Sequence, residues 1–309
     1  MKHPRSSVNK QAGKESPPAP AGRFAPSPTG DLHFGSLVAA VGSYLEAKRA
    51  GGAWLLRIED IDPPREVVGS ATRIIEDLGR LGLEPDGPVL YQSSRTAAYQ
   101  HAVDCLVRAG LAFPCACSRK DLDENGQYPG TCRHGLPPGK SPRSIRFRVA
   151  DKPGVFQDKL QGTVCDPASG NGGDFIIRRA DGLFAYQLAV VVDDHFQGIT
   201  QVVRGADLID STNRQLALQA ALGFTTPDYM HLPVATLADG KKLSKRTQSD
   251  PVKRLDPASA IRLALQFLGQ NPPDRLSLEK LWQWALANWN SKWIPAVRSL
   301  PLEFPKPGS

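Results

Sequence analysis

Long apolar runs are missing from this chain of 309 residues. No stretch approaches the roughly 18–20 residues of a transmembrane helix, and no apolar segment follows the charged N-terminus, so the sequence predicts neither a membrane span nor a secretory signal. Cysteine is also scarce, at five residues. This number excludes a small disulfide-stabilised fold. Two of the five lie one residue apart, which indicates a reducing compartment, the cytoplasm.

The excess of basic over acidic side chains is moderate. The net charge is +7 and the pI is near 9.2, which permits an anionic partner such as nucleic acid without requiring one. Residues 1–22 contain few apolar side chains and nearly half of this net charge, and this composition predicts a disordered basic tail. The tail is either a tolerated extension or a tether for RNA.

The rest of the chain alternates between predicted strands and helices. A short strand begins at Arg23, apolar residues recur at helical spacing from Leu32 to Leu45, and a buried strand covers 53–58. This βαβ order predicts a parallel sheet of the α/β class. Further helices are predicted near residues 66–80, 95–109 and 211–222, and further strands over 175–177 and 185–192.

Composition also suggests domain boundaries. We predict a sheet domain in two halves, 23–112 and 176–238, separated by an insertion over 113–175 that is rich in glycine, proline and charge. Residues 239–309 are predicted to form a basic loop and a small helical region, with helices near 257–269 and 277–288. The tryptophans of that region have helical spacing and are expected to pack in a core rather than to stack on RNA bases: Trp282, Trp284 and Trp289.

A first candidate site follows the first strand. The segment Pro26–Ser36 places His33 and Gly35 where a helix opens. A helix N-terminus carries unpaired N–H groups and partial positive charge, which suit phosphate oxygens. His33 can donate to a phosphate and Gly35 permits close approach of a nucleotide. Taken alone, the segment is also compatible with a capped turn that contains a histidine by chance.

Two further patterns concern charge and sulfur. A basic loop, Lys241–Arg246, can neutralise charge that develops on a polyphosphate, although an isolated run of charge is usually a solvated surface. Three cysteines, Cys115, Cys117 and Cys132, can supply thiolate ligands to Zn²⁺, and a structural zinc site needs a fourth ligand. Reduced cysteines without a metal are the alternative.

The first candidate site and the basic loop together resemble the two signatures of class I aminoacyl-tRNA synthetases. Three segments resemble the glutamyl branch of that class: RFAPSPTG over 23–30, LRIEDID over 56–62 and VRGADL over 203–208. The resemblance runs from about residue 22 to residue 250. It implies a Rossmann-type parallel sheet with a zinc-bearing α/β insertion and a small C-terminal helical region.

The resemblance implies roles for individual residues. His33 and Lys245 match the catalytic positions that act on the α-phosphate of ATP, which is accompanied by Mg²⁺. The implied ATP-binding set comprises these two residues and Pro26, Thr29, Gly30, Gly35, Ser36, Lys242 and Ser244. Many relatives have histidine at the position of Ser36, so more of the phosphate contact is left to His33.

The resemblance also implies a pocket for L-glutamate and a zinc motif. The pocket residues are Arg23, Phe24, Ala25, Pro26, Ser27, Glu59, Tyr186 and Arg204. Arginine forks bind carboxylates and Glu59 suits an ammonium group, so this set matches the charges of glutamate. In the zinc motif the fourth ligand is Tyr128, which we favour over His134, and one structural zinc is expected.

Chain length narrows the expected function. Residues 247–309 are too few for a further domain of about 100–150 residues that could read an anticodon. The chain thus resembles a shortened branch of the family, which implies tRNA-independent activation of glutamate and its transfer to the queuosine base of tRNA(Asp), with a monomer expected. Two alternatives stay open: a shortened synthetase that charges a tRNA 3′ end, and a non-catalytic tRNA-binding paralogue. The intact Lys242–Arg246 segment argues against the latter.

Overall fold

The computed structural model describes residues 19–124, 126–150, 154–166, 173–237 and 255–302. The predicted loop residues Lys242, Ser244 and Lys245 lie outside these ranges, as does most of the predicted tail. In the part of the chain that is described, no helix has both the length and the apolar character needed to cross a bilayer.

Strands and helices follow one another along the described ranges. The strands are β1 (Ala21–Phe24), β2 (Ala53–Ile58), β3 (Leu90–Tyr91), β4 (Ala112–Cys115), β5 (Ser144–Phe147), β6 (Gly154–Asp158), β7 (Gly162–Asp166), β8 (Phe175–Arg178), β9 (Gln201–Gly205), β10 (Asp228–Leu232), β11 (Val234–Thr236) and β12 (Ser299–Pro301). The helices are α1 (Phe34–Arg49), α2 (Ser70–Arg80), α3 (Thr96–Arg108), α4 (Tyr186–Phe196), α5 (Thr212–Leu222), α6 (Pro257–Phe267) and α7 (Leu278–Asn288).

A seven-stranded sheet forms the centre of the molecule, in the order β3-β2-β1-β9-β10-β6-β7. Neighbouring strands are parallel except for the β6–β7 hairpin at one edge. Because β1 lies between β2 and β9, the chain builds the sheet outward from β1 in both directions. Such a reversal opens a crevice at the carboxyl ends of the strands, where ligands bind in open α/β sheets.

The main core joins α1, the central sheet and the C-terminal helices. Gly22 of β1 allows close packing, since a Cβ atom there would lie 3.0 Å from the Ala47 Cβ of α1. Trp282 and Trp289 are buried in this core. Their indole N–H groups donate to the Leu81 carbonyl at 2.9 Å and to a Glu46 carboxylate oxygen at 2.6 Å. The expectation that these two tryptophans pack in a core is confirmed.

A second, antiparallel sheet has the order β4-β5-β8. It packs with α3, α4 and α5 around a separate hydrophobic cluster. Residues of the predicted insertion, 113–175, contribute to both sheets: β5 and most of β4 belong to the small sheet, whereas β6 and β7 extend the central one. The insertion therefore supports one edge of the central sheet.

The strand predicted over residues 185–192 was wrong. This segment is the first part of α4, and Leu188, Ala189, Val190, Val191 and Val192 are all buried. A continuous apolar run shows neither a 3.6-residue nor a 2-residue period, so periodicity does not distinguish a fully buried helix from a central strand. The run became helical because α4 is enclosed by the small sheet, α3 and α5.

Candidate active site and metal centre

A cavity of about 580 Å³ opens at the carboxyl ends of β1 and β9, beside the start of α1. This is the edge at which the strand order reverses. Every predicted nucleotide-binding or glutamate-binding residue that the structure describes lines the cavity: Arg23, Phe24, Ala25, Pro26, Ser27, Thr29, Gly30, His33, Gly35, Ser36, Glu59, Tyr186 and Arg204. The fold thus brings together residues from four separate segments of the chain.

The turn between β1 and α1 is fixed by the first turns of α2. Gly30 has φ 136°, a conformation that favours glycine. Its N–H donates to Ser70 Oγ at 3.2 Å, and Ser70 Oγ donates to the Gly30 carbonyl at 2.6 Å. The guanidinium of Arg73 donates to the Asp31 carboxylate at 2.7 Å. The backbone of this turn is therefore held in place at the cavity wall.

His33 is the N-cap of α1. Its Nδ1 atom accepts a hydrogen bond from the Ser36 N–H at 3.1 Å, and Ser36 Oγ lies 3.1 Å from Nε2. A Cβ atom on Gly35 would lie 3.2 Å from His33 Cε1, so the glycine leaves room for the imidazole over the first helical turn. The His-x-Gly pattern therefore has a capping role in addition to any contact with a ligand.

Two buried arginines contact the buried Asp194, and one of them, Arg23, lines the cavity. Arg23 Nε donates to this carboxylate at 3.0 Å and Arg57 Nη2 donates to it at 2.8 Å. Although burial raises the pKa of Asp194, Arg23 and Arg57 lower it below its ordinary value. Asp194 is therefore ionised, and it holds both guanidinium groups in fixed positions.

Glu59 follows β2 and is buried next to the same cluster. Its N–H donates to the Pro26 carbonyl at 3.0 Å, which joins it to the β1–α1 turn, and its carboxylate lies 3.6 Å from Arg57. Burial raises the pKa of Glu59 to about 7, against the opposing effect of Arg57 and Arg23. A cationic group placed in the cavity would favour the ionised form of this carboxyl.

Arg204 at the end of β9 is buried among neutral partners. Its guanidinium donates to His231 Nε2 at 3.0 Å, to Gln215 Oε1 at 2.8 Å and to Thr212 Oγ1 at 2.9 Å. It also donates to the Tyr186 hydroxyl at 3.4 Å. No carboxylate of the described residues lies within 4.0 Å of it. Because an uncompensated buried charge is costly, this guanidinium favours an anionic ligand.

Several of these residues were not predicted from the sequence. Asp194 lies near the end of α4, and His231 of β10, which contacts Arg204, pairs through Nδ1 with Asp158 of β6 at 2.6 Å. An acidic pair directly after an apolar run, at 193–194, is the one sequence signal that indicates buried carboxylates with cationic partners. His231 and Asp158 lie in segments far apart in sequence, and their pairing depends on the edge hairpin that no local pattern indicates.

The predicted metal ligands come together at the end of β4. The Sγ atoms of Cys115, Cys117 and Cys132 lie within 4.8 Å of one another and could hold a metal ion. The Tyr128 hydroxyl accepts a hydrogen bond from the Cys132 N–H at 2.6 Å. His134 is exposed and is not part of this group. The arrangement places Tyr128, and not His134, beside the three sulfur atoms.

Arg146 lies against this cysteine cluster. Its Nε atom donates to Cys115 Sγ at 3.3 Å, and its guanidinium lies 4.0 Å from the centre of the Tyr128 ring. Although burial raises the pKa of Cys115, the Cys117 N–H and Arg146 lower it below its ordinary value. A thiolate is the form that binds a metal ion.

Comparisons with known proteins agree with this architecture. The family model described as tRNA synthetases class I (E and Q), catalytic domain, matches residues 21–268. A glutamate–tRNA synthetase structure from Elizabethkingia anophelis superposes with a TM-score of 0.78 at 26% identity, over 92% of this chain and 68% of that one. A glutamate tRNA ligase from Elizabethkingia meningosepticum, solved in complex with its amino acid, has a TM-score of 0.77 at 26% identity, over 92% and 67%. The predicted fold class is confirmed.

Relatives of similar length are closer in sequence. The glutamyl-Q tRNA(Asp) synthetase of Aromatoleum aromaticum is 50% identical over 93% of this chain and 94% of its own. The glutamyl-Q tRNA(Asp) synthetase of Dechloromonas aromatica is 52% identical over 89% of this chain and 95% of its own. The chain therefore belongs to the glutamyl-Q tRNA(Asp) synthetase family, within the E and Q group of class I tRNA synthetases.

Proposed function

We propose that this protein activates L-glutamate with ATP in the absence of tRNA and then transfers it to the queuosine base in the anticodon loop of tRNA(Asp). The observation that carries the proposal is the charge arrangement within one cavity. A buried guanidinium with neutral partners, a buried carboxyl group and a helix N-terminus all face the same space. These groups match an amino acid with two carboxylates and one ammonium, next to a polyphosphate.

Glutamate is held by charge complementarity. Arg204 and Arg23 bind its carboxylates, and Glu59 binds its ammonium group. The remaining pocket residues, Phe24, Ala25, Pro26, Ser27 and Tyr186, shape the wall around it. Arg23 is already bonded to Asp194 through Nε, so Asp194 orients this guanidinium and the substrate does not have to order it.

Activation joins glutamate to AMP. An α-carboxylate oxygen attacks the α-phosphorus of ATP, the bond to the bridging oxygen breaks, and pyrophosphate leaves. His33 and the N–H groups at the start of α1 oppose the charge that grows on the phosphoryl oxygens, and Lys245 supplies a further cation. A Mg²⁺ ion accompanying ATP would supply further positive charge next to its phosphates. Pro26, Thr29, Gly30, Gly35, Ser36, Lys242 and Ser244 complete the ATP site.

Transfer then forms an ester. A hydroxyl oxygen of queuosine attacks the carbonyl carbon of the mixed anhydride, the bond from that carbon to the phosphate oxygen breaks, and AMP leaves while the hydroxyl proton passes to water. Because tRNA(Asp) is the acceptor, the proposed place of action is the cytoplasm. The cavity rim, formed in part by Asp62 and Arg179, is where the base would approach.

We further propose one structural zinc ion in the cysteine cluster. Three thiolates and the Tyr128 phenolate form a set of four anionic donors, three of them soft sulfur atoms, which suits tetrahedral Zn²⁺. Arg146 offsets part of the negative charge of that set. Bound to these residues, zinc would hold the segment between β4 and β5 together and would have a structural rather than a catalytic role.

A two-stage experiment tests the proposed function. The first stage measures glutamate-dependent ATP–pyrophosphate exchange without tRNA, which should be robust. The second stage labels tRNA(Asp) with radioactive glutamate, with and without queuosine, and after removal of the 3′-terminal adenosine. Labelling that needs queuosine and survives loss of the 3′-terminal adenosine supports the proposal. Labelling of the 3′ end would favour a shortened aminoacylating enzyme, and no exchange would favour a non-catalytic paralogue.

Lys245 provides a matched check on the chemistry. Lys245→Ala should lower the exchange rate by roughly 10²–10³, the effect of removing one preorganised charge contact. An unchanged exchange rate would show that Lys245 does not stabilise the charge that develops on the α-phosphate.

A further inference from the structure

A buried chain of polar groups lies behind Arg204, on the side away from the cavity. His231 of β10 accepts from Arg204 Nε at 3.0 Å through Nε2, and its Nδ1 lies 2.6 Å from Asp158 Oδ2 of β6. Both the His231 and the Asp158 side chains are fully buried. The chain crosses three strands of the central sheet and ends at the guanidinium that lines the cavity.

The hydrogen-bond directions in this chain are determined by chemistry. The Asp158 carboxylate also accepts from the Leu160, Gln161 and His231 N–H groups, so it is ionised and can only accept. His231 must therefore hold its proton on Nδ1, which leaves Nε2 with a lone pair for Arg204. A second proton on Nε2 would point at the Arg204 N–H, so this contact requires the neutral imidazole. Burial lowers the pKa of His231, which agrees with that form.

We propose that His231, oriented by Asp158, is a positioning residue that fixes the Arg204 guanidinium for a substrate carboxylate without neutralising its charge. A carboxylate in place of the imidazole would bind Arg204 more strongly but would compete with the substrate. A neutral acceptor orients the guanidinium and leaves its charge for the ligand. Thr212 Oγ1, 2.9 Å from Arg204 Nη2 and 3.2 Å from His231 Nε2, completes the same neutral cradle.

This inference rests on the proposed function, because it assumes that Arg204 binds glutamate. The test measures the KM for glutamate, the KM for ATP and kcat in ATP–pyrophosphate exchange. The variants are His231→Leu, which lacks the acceptor, His231→Gln, whose side-chain carbonyl can take the place of Nε2, and Thr212→Val. Thr236→Val is the control, since Thr236 is buried and bonds to the Leu300 carbonyl, away from the cradle.

His231→Leu should raise the KM for glutamate by about 10–100-fold, the size expected for a hydrogen bond to a charged group. The KM for ATP should stay constant and kcat should change by less than roughly threefold. His231→Gln should recover most of the lost affinity, and Thr236→Val should behave as wild type. A purely structural role would move all three kinetic constants together and would not be rescued by glutamine.

The opposing outcomes are distinct. If folded His231→Leu keeps the wild-type KM for glutamate, or if the KM for ATP rises in parallel, the positioning role is overturned while the proposed function stands. If His231→Leu does not fold, Thr212→Val decides: a KM for glutamate raised by about 5–10-fold supports the cradle, and an unchanged KM overturns it. If the wild-type protein shows no glutamate-dependent exchange, the proposed function fails and this inference fails with it.

Discussion

At the residue scale, the site depends on buried charges whose partners differ in sign and number. Arg23 and Arg57 share the Asp194 carboxylate, whereas Arg204 has neutral neighbours in the described structure. Arg23 and Arg204, which both line the cavity, thus differ in how much of their charge is available to a ligand. The difference arises because the fold places a carboxylate next to Arg23, whereas none of the described residues places one next to Arg204. Arg204 is therefore the position in the cavity that most strongly favours an anionic ligand.

Glu59 leads to a prediction about pH. The proposed contact with the ammonium group of glutamate needs the ionised carboxylate, but burial raises the pKa of Glu59 to about 7 in the free protein. Below that pH, binding has to release a proton from Glu59, so the KM for glutamate should rise by about tenfold per pH unit. The measurement is the KM for glutamate in pyrophosphate exchange between about pH 5.5 and 8.5.

The control for this pH effect is the KM for ATP, which should stay level over the same range. Glu59→Gln should raise the KM for glutamate at high pH and remove most of its pH dependence. A wild-type KM for glutamate that is flat below pH 7 would show that Glu59 does not bind the ammonium group.

Tyr128 leads to a prediction about metal binding. Tyr128→Phe keeps the ring that packs near Arg146 and Phe113 but removes the oxygen beside the three sulfurs. The zinc dissociation constant should rise by at least about tenfold, since even changes outside the ligand shell cost that much. Competition with a chromogenic chelator measures the change. His134→Ala is the matched control and should retain zinc as wild type does; the reverse pattern would make His134 the fourth ligand.

At the element scale, helix α1 connects packing with chemistry. Its N-terminus faces the cavity, while its buried face packs on β1 and on the C-terminal helices. The capping histidine and the glycine two residues later set the geometry of the first turn. The chemistry proposed for this turn therefore depends on contacts that are also part of the fold.

Gly35→Ala tests that dependence. A Cβ atom would lie 3.2 Å from His33 Cε1, so the imidazole has to shift, and a displacement of this kind can lower activity by about 10-fold or more. Stability should be unchanged or higher, because alanine favours the helix. The measurements are the pyrophosphate-exchange rate and thermal unfolding.

Gly79→Ala in α2 is the matched control for this substitution. Nothing lies within 4 Å of the Cβ atom that it would add, so it should raise stability by up to about 1 kcal/mol and leave the exchange rate unchanged. If Gly35→Ala retained full activity, the position of the His33 ring would not matter for catalysis.

The sequence predicted elements with a clear period and missed those defined by tertiary contacts. The spacing of Leu32 to Leu45 gave α1, and the run over 53–58 gave β2 with the same bounds. The buried run over 185–192 gave a strand where the chain forms α4, because a period is absent when every side is buried. α2 starts at Ser70 rather than near residue 66, since Gly69 has a non-helical φ of 73° and is the N-cap of the helix.

The candidate site shows the same division. Residues in continuous motifs, from Arg23 to Ser36, could be predicted because neighbours in sequence stay neighbours at the cavity wall. The partners that set their charge come from distant segments. Asp158 reaches Arg204 through His231 because the β6–β7 hairpin joins the central sheet next to β10. No local pattern specifies that pairing, so sequence reasoning had no means to find it.

At the scale of the whole molecule, the C-terminal helices are part of the core of the catalytic sheet. α6 and α7 pack on α1 in one hydrophobic cluster. β12, the last strand of the described chain, pairs with β11, which directly follows the central strand β10. An appended domain would have its own core and a thin interface. The C-terminal region is therefore expected to unfold together with the sheet that contains the cavity.

Trp289→Phe tests this coupling. Trp289 is buried, and its indole N–H donates to a Glu46 carboxylate at 2.6 Å. Losing this charged hydrogen bond should destabilise the whole protein by about 2 kcal/mol. Because the core is shared, loss of exchange activity on heating and loss of helical circular dichroism should shift to lower temperature together.

Trp293, which is half exposed, provides the control Trp293→Phe, which should change the free energy of unfolding by less than about 0.5 kcal/mol. Two separate transitions in Trp289→Phe, with activity lost only in the second, would show that the C-terminal helices form an independent unit.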